Sequence, residues 1–257
     1  MEKGKIVIAN WKMNPTTQKE AGRLLDSLKE IKKEKEVEIV ICPPFPYLNL
    51  VKDKFILGAQ NCFSENKGAY TGEVSPLMLK DMNCQYVLLG HSERKKHFNE
   101  TDQSINLKLK AALKARLKPV LCVGEETRDS FDHEGRSVNE MSLIIREQVE
   151  KALIDISEER IRDIVFAYEP VWAISTEESD NPCSSDDAMK AALFIRKILT
   201  QLYNREVAEK ARIIYGGSVK SRNASDYLQE AGMDGVLVGS ASLNASEFIK
   251  IVEKAGQ

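Results

Sequence analysis

Little in this 257-residue sequence points to disulfide, zinc or nucleic-acid chemistry. The five cysteines, Cys42, Cys62, Cys84, Cys122 and Cys183, are scattered singly, with no C-x-x-C pair. An odd, unpatterned set argues against a disulfide framework and offers no metal-ligand spacing, so no metal is expected and a reducing cytoplasm suits the thiols. An excess of charge of one sign is also missing: 37 Lys and Arg against 39 Asp and Glu leave a formal −2. With no broad positive field, nucleic acid is not an expected partner, and an anionic ligand has to be held by a local site. No apolar run approaches a membrane span, and the one after Met1-Glu2-Lys3-Gly4-Lys5 is too short for the core of a signal peptide; no membrane partner is expected. Histidine is scarce, which confines imidazole chemistry to His91, His97 and His133. Linkers, short repeats and low-complexity tracts are lacking, so residues 1–257 are expected to form a single domain.

What is present is an alternation. Short apolar, β-branched runs at residues 5–10, 38–42, 56–61, 86–90, 119–123, 164–169, 212–215 and 235–238 read as strands. They are continuously apolar, as parallel strands covered on both faces are. Amphipathic stretches lie between them, at residues 18–33, 104–115, 138–153, 186–203, 224–230 and 246–254, with a weaker one at 76–81. Eight strands interleaved with helices predict a (β/α)8 barrel, eight parallel strands ringed by helices. An open doubly wound sheet is the alternative, but the Gly-rich dinucleotide turn is absent after the first strand, where Asn10-Trp11-Lys12-Met13-Asn14 stands.

In a (β/α)8 barrel the C-terminal strand ends carry the site. Polar residues there are Asn10 and Lys12 after the first strand, His91-Ser92-Glu93-Arg94 after the fourth and Glu169-Pro170 after the sixth. Gly216-Gly217-Ser218 follows the seventh and Gly239-Ser240 the eighth. Singly, each has an ordinary explanation: a surface histidine, a surface lysine, a salt-bridge partner, a turn. Brought to one rim, they form a chemical set. Two Gly-containing turns offer backbone N–H groups to a phosphate, Lys12 a fixed cation, Glu169 a base and His91 a group to polarise a carbonyl. That set suits proton abstraction beside the carbonyl of a phosphorylated sugar, with no cofactor and with hydrogen bonds and charge stabilising the enolate.

At these residues the sequence resembles the triosephosphate isomerase family, nearly end to end. The stretches that carry the resemblance are Ala9-Asn10-Trp11-Lys12-Met13-Asn14, Gly58-Ala59-Gln60-Asn61 with Gly68-Ala69-Tyr70-Thr71-Gly72-Glu73, and Gly90-His91-Ser92-Glu93-Arg94. Ala167-Tyr168-Glu169-Pro170-Val171-Trp172-Ala173, Tyr215-Gly216-Gly217-Ser218-Val219 and Val238-Gly239-Ser240-Ala241-Ser242-Leu243 complete it. The resemblance implies interconversion of dihydroxyacetone phosphate and D-glyceraldehyde 3-phosphate, a step of glycolysis and gluconeogenesis, through an enediolate. Glu169 would be the base and His91 the neutral electrophile. Asn10 and Lys12 would hold substrate, and Glu93 would anchor Lys12. Backbone N–H groups of Ser175, Ser218, Gly239 and Ser240 would bind phosphate. The partners implied are small phosphorylated trioses and a second copy of the chain: in the homodimer Thr71 would reach the neighbouring site near Asn10 and His91.

The sequence departs from the family in its lid, where Ser175 and Glu177 replace glycines and Glu178 adds a second negative charge. Ser175 retains a backbone N–H but less conformational freedom. Ser240 and Asn99 also stand where the family commonly has glycine. An altered lid leaves two other functions to weigh: a phosphate-binding scaffold without turnover, and a lyase that lets the enediolate expel phosphate to give methylglyoxal. Retention of Glu169 argues against the scaffold, because binding needs no base.

Overall fold

The computed structural model describes residues 4–32, 37–51, 55–127, 130–131, 137–138, 140–174 and 183–257. In chain order its elements open with β1 (Lys5–Asn10), α1 (Gln18–Leu28), β2 (Val37–Cys42), a 3-10 turn (Phe45–Leu50) and β3 (Ile56–Ala59). Next come α2 (Pro76–Asp81), β4 (Tyr86–Leu89), α3 (Ser92–Phe98), α4 (Asp102–Lys114) and β5 (Lys118–Val123). A hairpin, β6 (Ser130–Phe131) and β7 (Ser137–Val138), precedes α5 (Glu140–Ala152), α6 (Glu158–Ile161) and β8 (Val165–Tyr168). A 3-10 turn (Val171–Ala173) leads on, past the undescribed residues, to α7 (Ser185–Leu202), α8 (Arg205–Lys210) and β9 (Arg212–Tyr215). A π-helix (Asp226–Glu230), β10 (Gly235–Val238), a 3-10 turn (Ser240–Leu243) and α9 (Ala245–Ala255) complete the order. Eight strands close a parallel barrel in the order β1-β10-β9-β8-β5-β4-β3-β2, as the alternation predicts.

Strand periodicity explains both cores. Ile6 and Ile8, Val40 and Cys42, Tyr86 and Leu88, Val120 and Cys122, and Val165 and Ala167 fill the barrel interior. Their neighbours Val7 and Ala9, Ile41, Val87 and Leu89, Leu121 and Val123, and Phe166 and Tyr168 pack outward against the helices. Alternate residues face opposite sides, so the inward row 6-8-10 ends at Asn10 and the row 165-167-169 ends at Glu169. Both side chains therefore arrive at the C-terminal mouth.

Local chemistry fixes the helix starts. Thr17 caps α1 by accepting from Glu20 N, and Ala21, Leu25 and Leu28 bury its inner face. Reciprocal capping boxes open α4 (Thr101 with Ser104) and α7 (Ser184 with Asp187). The helix expected at 18–33 stops at Leu28, and Ile31 is buried from the turn beyond it. The stretch expected at 224–230 takes π-helical form over Asp226–Glu230, and α5 starts at Glu140 rather than 138. Asn99 adopts the left-handed conformation (φ 53°) as the C-cap of α3, which is why asparagine serves where glycine is common.

A polar cluster sits at the N-terminal ends of β2, β4, β5 and β9. Tyr86 Oη donates to Glu38 Oε2 at 2.5 Å and Arg212 Nη1 to Glu38 Oε1 at 2.9 Å, while Lys118 Nζ lies 5.1 Å from the Tyr86 ring centre. Burial works against the Glu38 charge, but the Tyr86 hydrogen bond, the Arg212 hydrogen bond and charge, and the Lys118 charge together hold its carboxyl below the ordinary value. A carboxyl lowered by folding contributes stability above its unfolded pKa, and that contribution is lost as pH falls through the folded value. Glu38→Gln is expected to cost about 1–2 kcal/mol at pH 7, at the low end for a charged hydrogen-bonded group because solvent screens it. Urea unfolding at neutral and acid pH checks this: the gap between variant and parent should narrow in acid.

Candidate active site

The mouth is assembled from several strand ends. Lys12 takes φ 55°, a left-handed conformation that costs a non-glycine residue about 1–2 kcal/mol. It is held there on both sides: Lys12 N donates to Asn10 Oδ1 at 3.0 Å, and Gln60 Nε2 donates to Lys12 O at 2.8 Å and to Cys42 O at 2.9 Å. So held, Lys12 extends its ammonium to Glu93 Oε1 at 2.5 Å.

Glu93 and His91 come from the turn joining β4 to α3. Gly90 at φ 72° makes that turn. Its N–H donates to Glu100 Oε2 at 3.2 Å, and the same carboxylate receives Arg94 Nε and Lys108 Nζ. Lys108 Nζ also donates to Asn61 Oδ1 at 3.0 Å. Burial opposes the Glu100 charge, but Lys108 and Arg94 outweigh it and hold the carboxyl low. His91 then caps α3, its Nδ1 accepting from Glu93 N at 3.3 Å. A ring nitrogen that accepts carries no proton, so the imidazole N–H is at Nε2.

Nε2 faces Glu169, with Oε1 3.5 Å away. The Glu169 side chain is buried, and its Oε2 accepts from Ser92 N at 3.1 Å. Oε1 has no hydrogen-bond partner among the described residues. Two glycines make room for this carboxylate. A Cβ on Gly216 would stand 2.8 Å from Glu169 Cγ, and one on Gly124 would stand 1.9 Å from Glu169 O. Cys122 lies behind it in the barrel; burial first and the Glu169 charge second push that thiol upward.

The glycine turns lie on the same rim. A Cβ on Gly239 would meet Lys12 Cε at 3.3 Å, which brings this turn beside the ammonium. Ser240 opens a 3-10 turn and is not among the positive-φ residues, so serine fits where the family has glycine. Ser218 Oγ donates to Ala173 O at 2.8 Å, joining its turn to the 3-10 turn after β8. A cavity of about 900 Å³ opens here, lined among others by Lys12, Ser92, Glu93, Cys122 and Glu169. Thr71 is not part of it: it sits on an exposed turn of its own chain. Ser175, Glu177, Glu178 and the lid through Pro182 lie outside the described residues, as does His133; His97 is exposed on α3.

The strand-end reading passed over Glu125. Its carboxylate is buried, with Oε1 accepting from Tyr168 Oη and Trp172 Nε1, both at 2.8 Å. Burial raises its pKa against the lowering effect of those two donors. Gln60 and Gly216 stood inside the quoted motifs, but nothing in the sequence assigned them these contacts.

A buried carboxylate with one unpaired oxygen, aimed at the N–H of an imidazole, defines a class: barrel enzymes that work by moving a proton. Comparison with known proteins makes the identification specific. The family model for triosephosphate isomerase matches residues 5–255. The chain is 47% identical to the triosephosphate isomerase of Dictyoglomus turgidum, over 96% of this chain and 98% of that protein. Identity is 45% to the one from Dictyoglomus thermophilum, covering 97% and 98%, and 43% to the one from Clostridium tetani, covering 96% and 95%. The chain belongs to the triosephosphate isomerase family.

Proposed function

We propose that residues 1–257 form one barrel domain that interconverts dihydroxyacetone phosphate and D-glyceraldehyde 3-phosphate, with no cofactor. The observation that carries this reading is the unpaired Oε1 of Glu169 facing the His91 Nε2–H at 3.5 Å. Glu169 removes a proton from C1 of the ketose and returns it at C2. The His91 N–H donates to the substrate oxygens as negative charge develops on them, and fixed dipoles of this kind stabilise an enediolate without reorganising. Lys12 supplies a cation to phosphate and enediolate, Glu93 orients Lys12, and Asn10 binds the substrate from the end of β1. Backbone N–H groups of Ser175, Ser218, Gly239 and Ser240 hold the phosphate. A lid closing over the site keeps water from the enediolate, which would otherwise lose phosphate.

The active form is a homodimer, in which Thr71 completes the partner's site. Exposed Met13, Tyr70, Leu77, Met78, Met82 and Phe98 support this, because large apolar side chains left on the surface suit a protein contact. Five free, buried cysteines are consistent with work in a reducing cytoplasm.

A coupled assay from glyceraldehyde 3-phosphate, with methylglyoxal measured in the same tube and sedimentation run alongside, tests the reading. Rapid conversion to the ketose by a dimer is expected. Phosphate-ligand binding without turnover would leave a scaffold, and methylglyoxal as the main product would leave a lyase.

A further inference from the structure

The end of β5 has backbone groups that no strand satisfies. Val123 O accepts from Glu169 N at 2.8 Å, and Glu125 O accepts from Val171 N at 2.9 Å, so residues 123–125 run beside 169–171. Successive residues of a parallel strand address opposite neighbours, and the N–H and C=O of Gly124 therefore point toward the β4 side. No strand waits there. The β4–β5 register ends at Leu89 and Leu121, and the chain then turns away at Gly90 into α3. One side chain of α5 takes both groups: Gly124 N donates to Gln148 Oε1 at 2.8 Å, and Gln148 Nε2 donates to Gly124 O at 3.0 Å. The amide stands in for the missing strand.

We propose that Gln148 is a positioning residue for the Glu169 base and for the 3-10 turn that follows it. Gly124 leaves no slack in this arrangement, since even a Cβ there would collide with Glu169 O. A shift of the 123–125 backbone is therefore passed to the base. The same segment carries Glu125, which holds Tyr168 at the end of β8 and Trp172 in that turn. Gln148 reaches all of this through two hydrogen bonds. The inference rests on the isomerase reading of the site.

Gln148→Met keeps the side chain's length and removes both bonds. Its kcat is expected to fall about 10- to 100-fold, as for a small misplacement of a reacting group, with little change in KM. The thermal midpoint falls in either case, because two buried backbone groups lose their partner; a purely structural glutamine would lower the midpoint alone and leave the kcat of folded enzyme unchanged. Gln148→Glu supplies a second readout. As a neutral acid the new carboxyl can accept from Gly124 N and donate to Gly124 O; ionised, it sets an oxygen against Gly124 O. The kcat of this variant relative to the parent should rise as pH falls through the new titration, while the Gln148→Met ratio stays flat. Parental kcat in Gln148→Met, or a pH-independent ratio in Gln148→Glu, overturns the proposal. Absence of turnover in the parent enzyme, measured first, overturns the isomerase reading and this one with it.

Discussion

Glu169→Asp is expected to lower kcat by about 10²- to 10⁴-fold, the range general base catalysis contributes. The substitution shortens the side chain by one bond, about 1.5 Å, and the backbone cannot follow to make up the distance. Glu169 N is tied to Val123 O at 2.8 Å, and the chain is wedged against Gly124 on one side and Gly216 on the other. The aspartate keeps the charge but withdraws it from the carbon. KM should change little, because the phosphate contacts proposed above lie at other residues. Steady-state kinetics in both directions provide the check, and near-parental kcat would remove Glu169 as the base.

Lys12→Met is expected to lose binding as well as rate. Methionine matches the length and tolerates φ 55° no worse than lysine, both being non-glycine residues, so the fold should survive. Glu93 is left without its partner, but it is 42% exposed and solvent can take over. What disappears is the cation beside the Gly239 turn. A hydrogen bond to a charged group is worth about 1.5–3 kcal/mol, or about 10- to 100-fold in affinity. Inhibition by inorganic phosphate should weaken by a factor in that range, with a further loss in kcat where the ammonium also meets the enediolate. Unchanged phosphate inhibition would exclude Lys12 as the phosphate-side cation.

Much of the site was legible because a polar residue closing an apolar strand can be read directly: Asn10 closes 5–10, Glu169 closes 164–169, and His91 follows the fourth strand, where it proves to cap α3. The parity that turns Asn10 and Glu169 inward was not, since the strands are apolar on both faces. Supporting residues were not legible either. Gln148 lies in an ordinary amphipathic helix, where a polar residue reads as solvent-facing; its partner Gly124 is adjacent only in space. Glu125 sits next to Glu126, and two acids at a strand end look like surface. Helices α6 and α8, at 4 and 6 residues, are too short to declare a 3.6-residue period. The stretch at 224–230 has the right residues for a helix but winds with a wider turn.

The two tryptophans occupy very different places. Trp11 is sealed in the core, while Trp172 is partly buried in the 3-10 turn after β8, its indole N–H held by Glu125. The molecule therefore carries two optical reporters at different depths. A Trp11→Phe variant leaves the Trp172 indole as the sole emitter, so a response to a phosphorylated ligand near the end of β8 can be followed by light without attaching a dye.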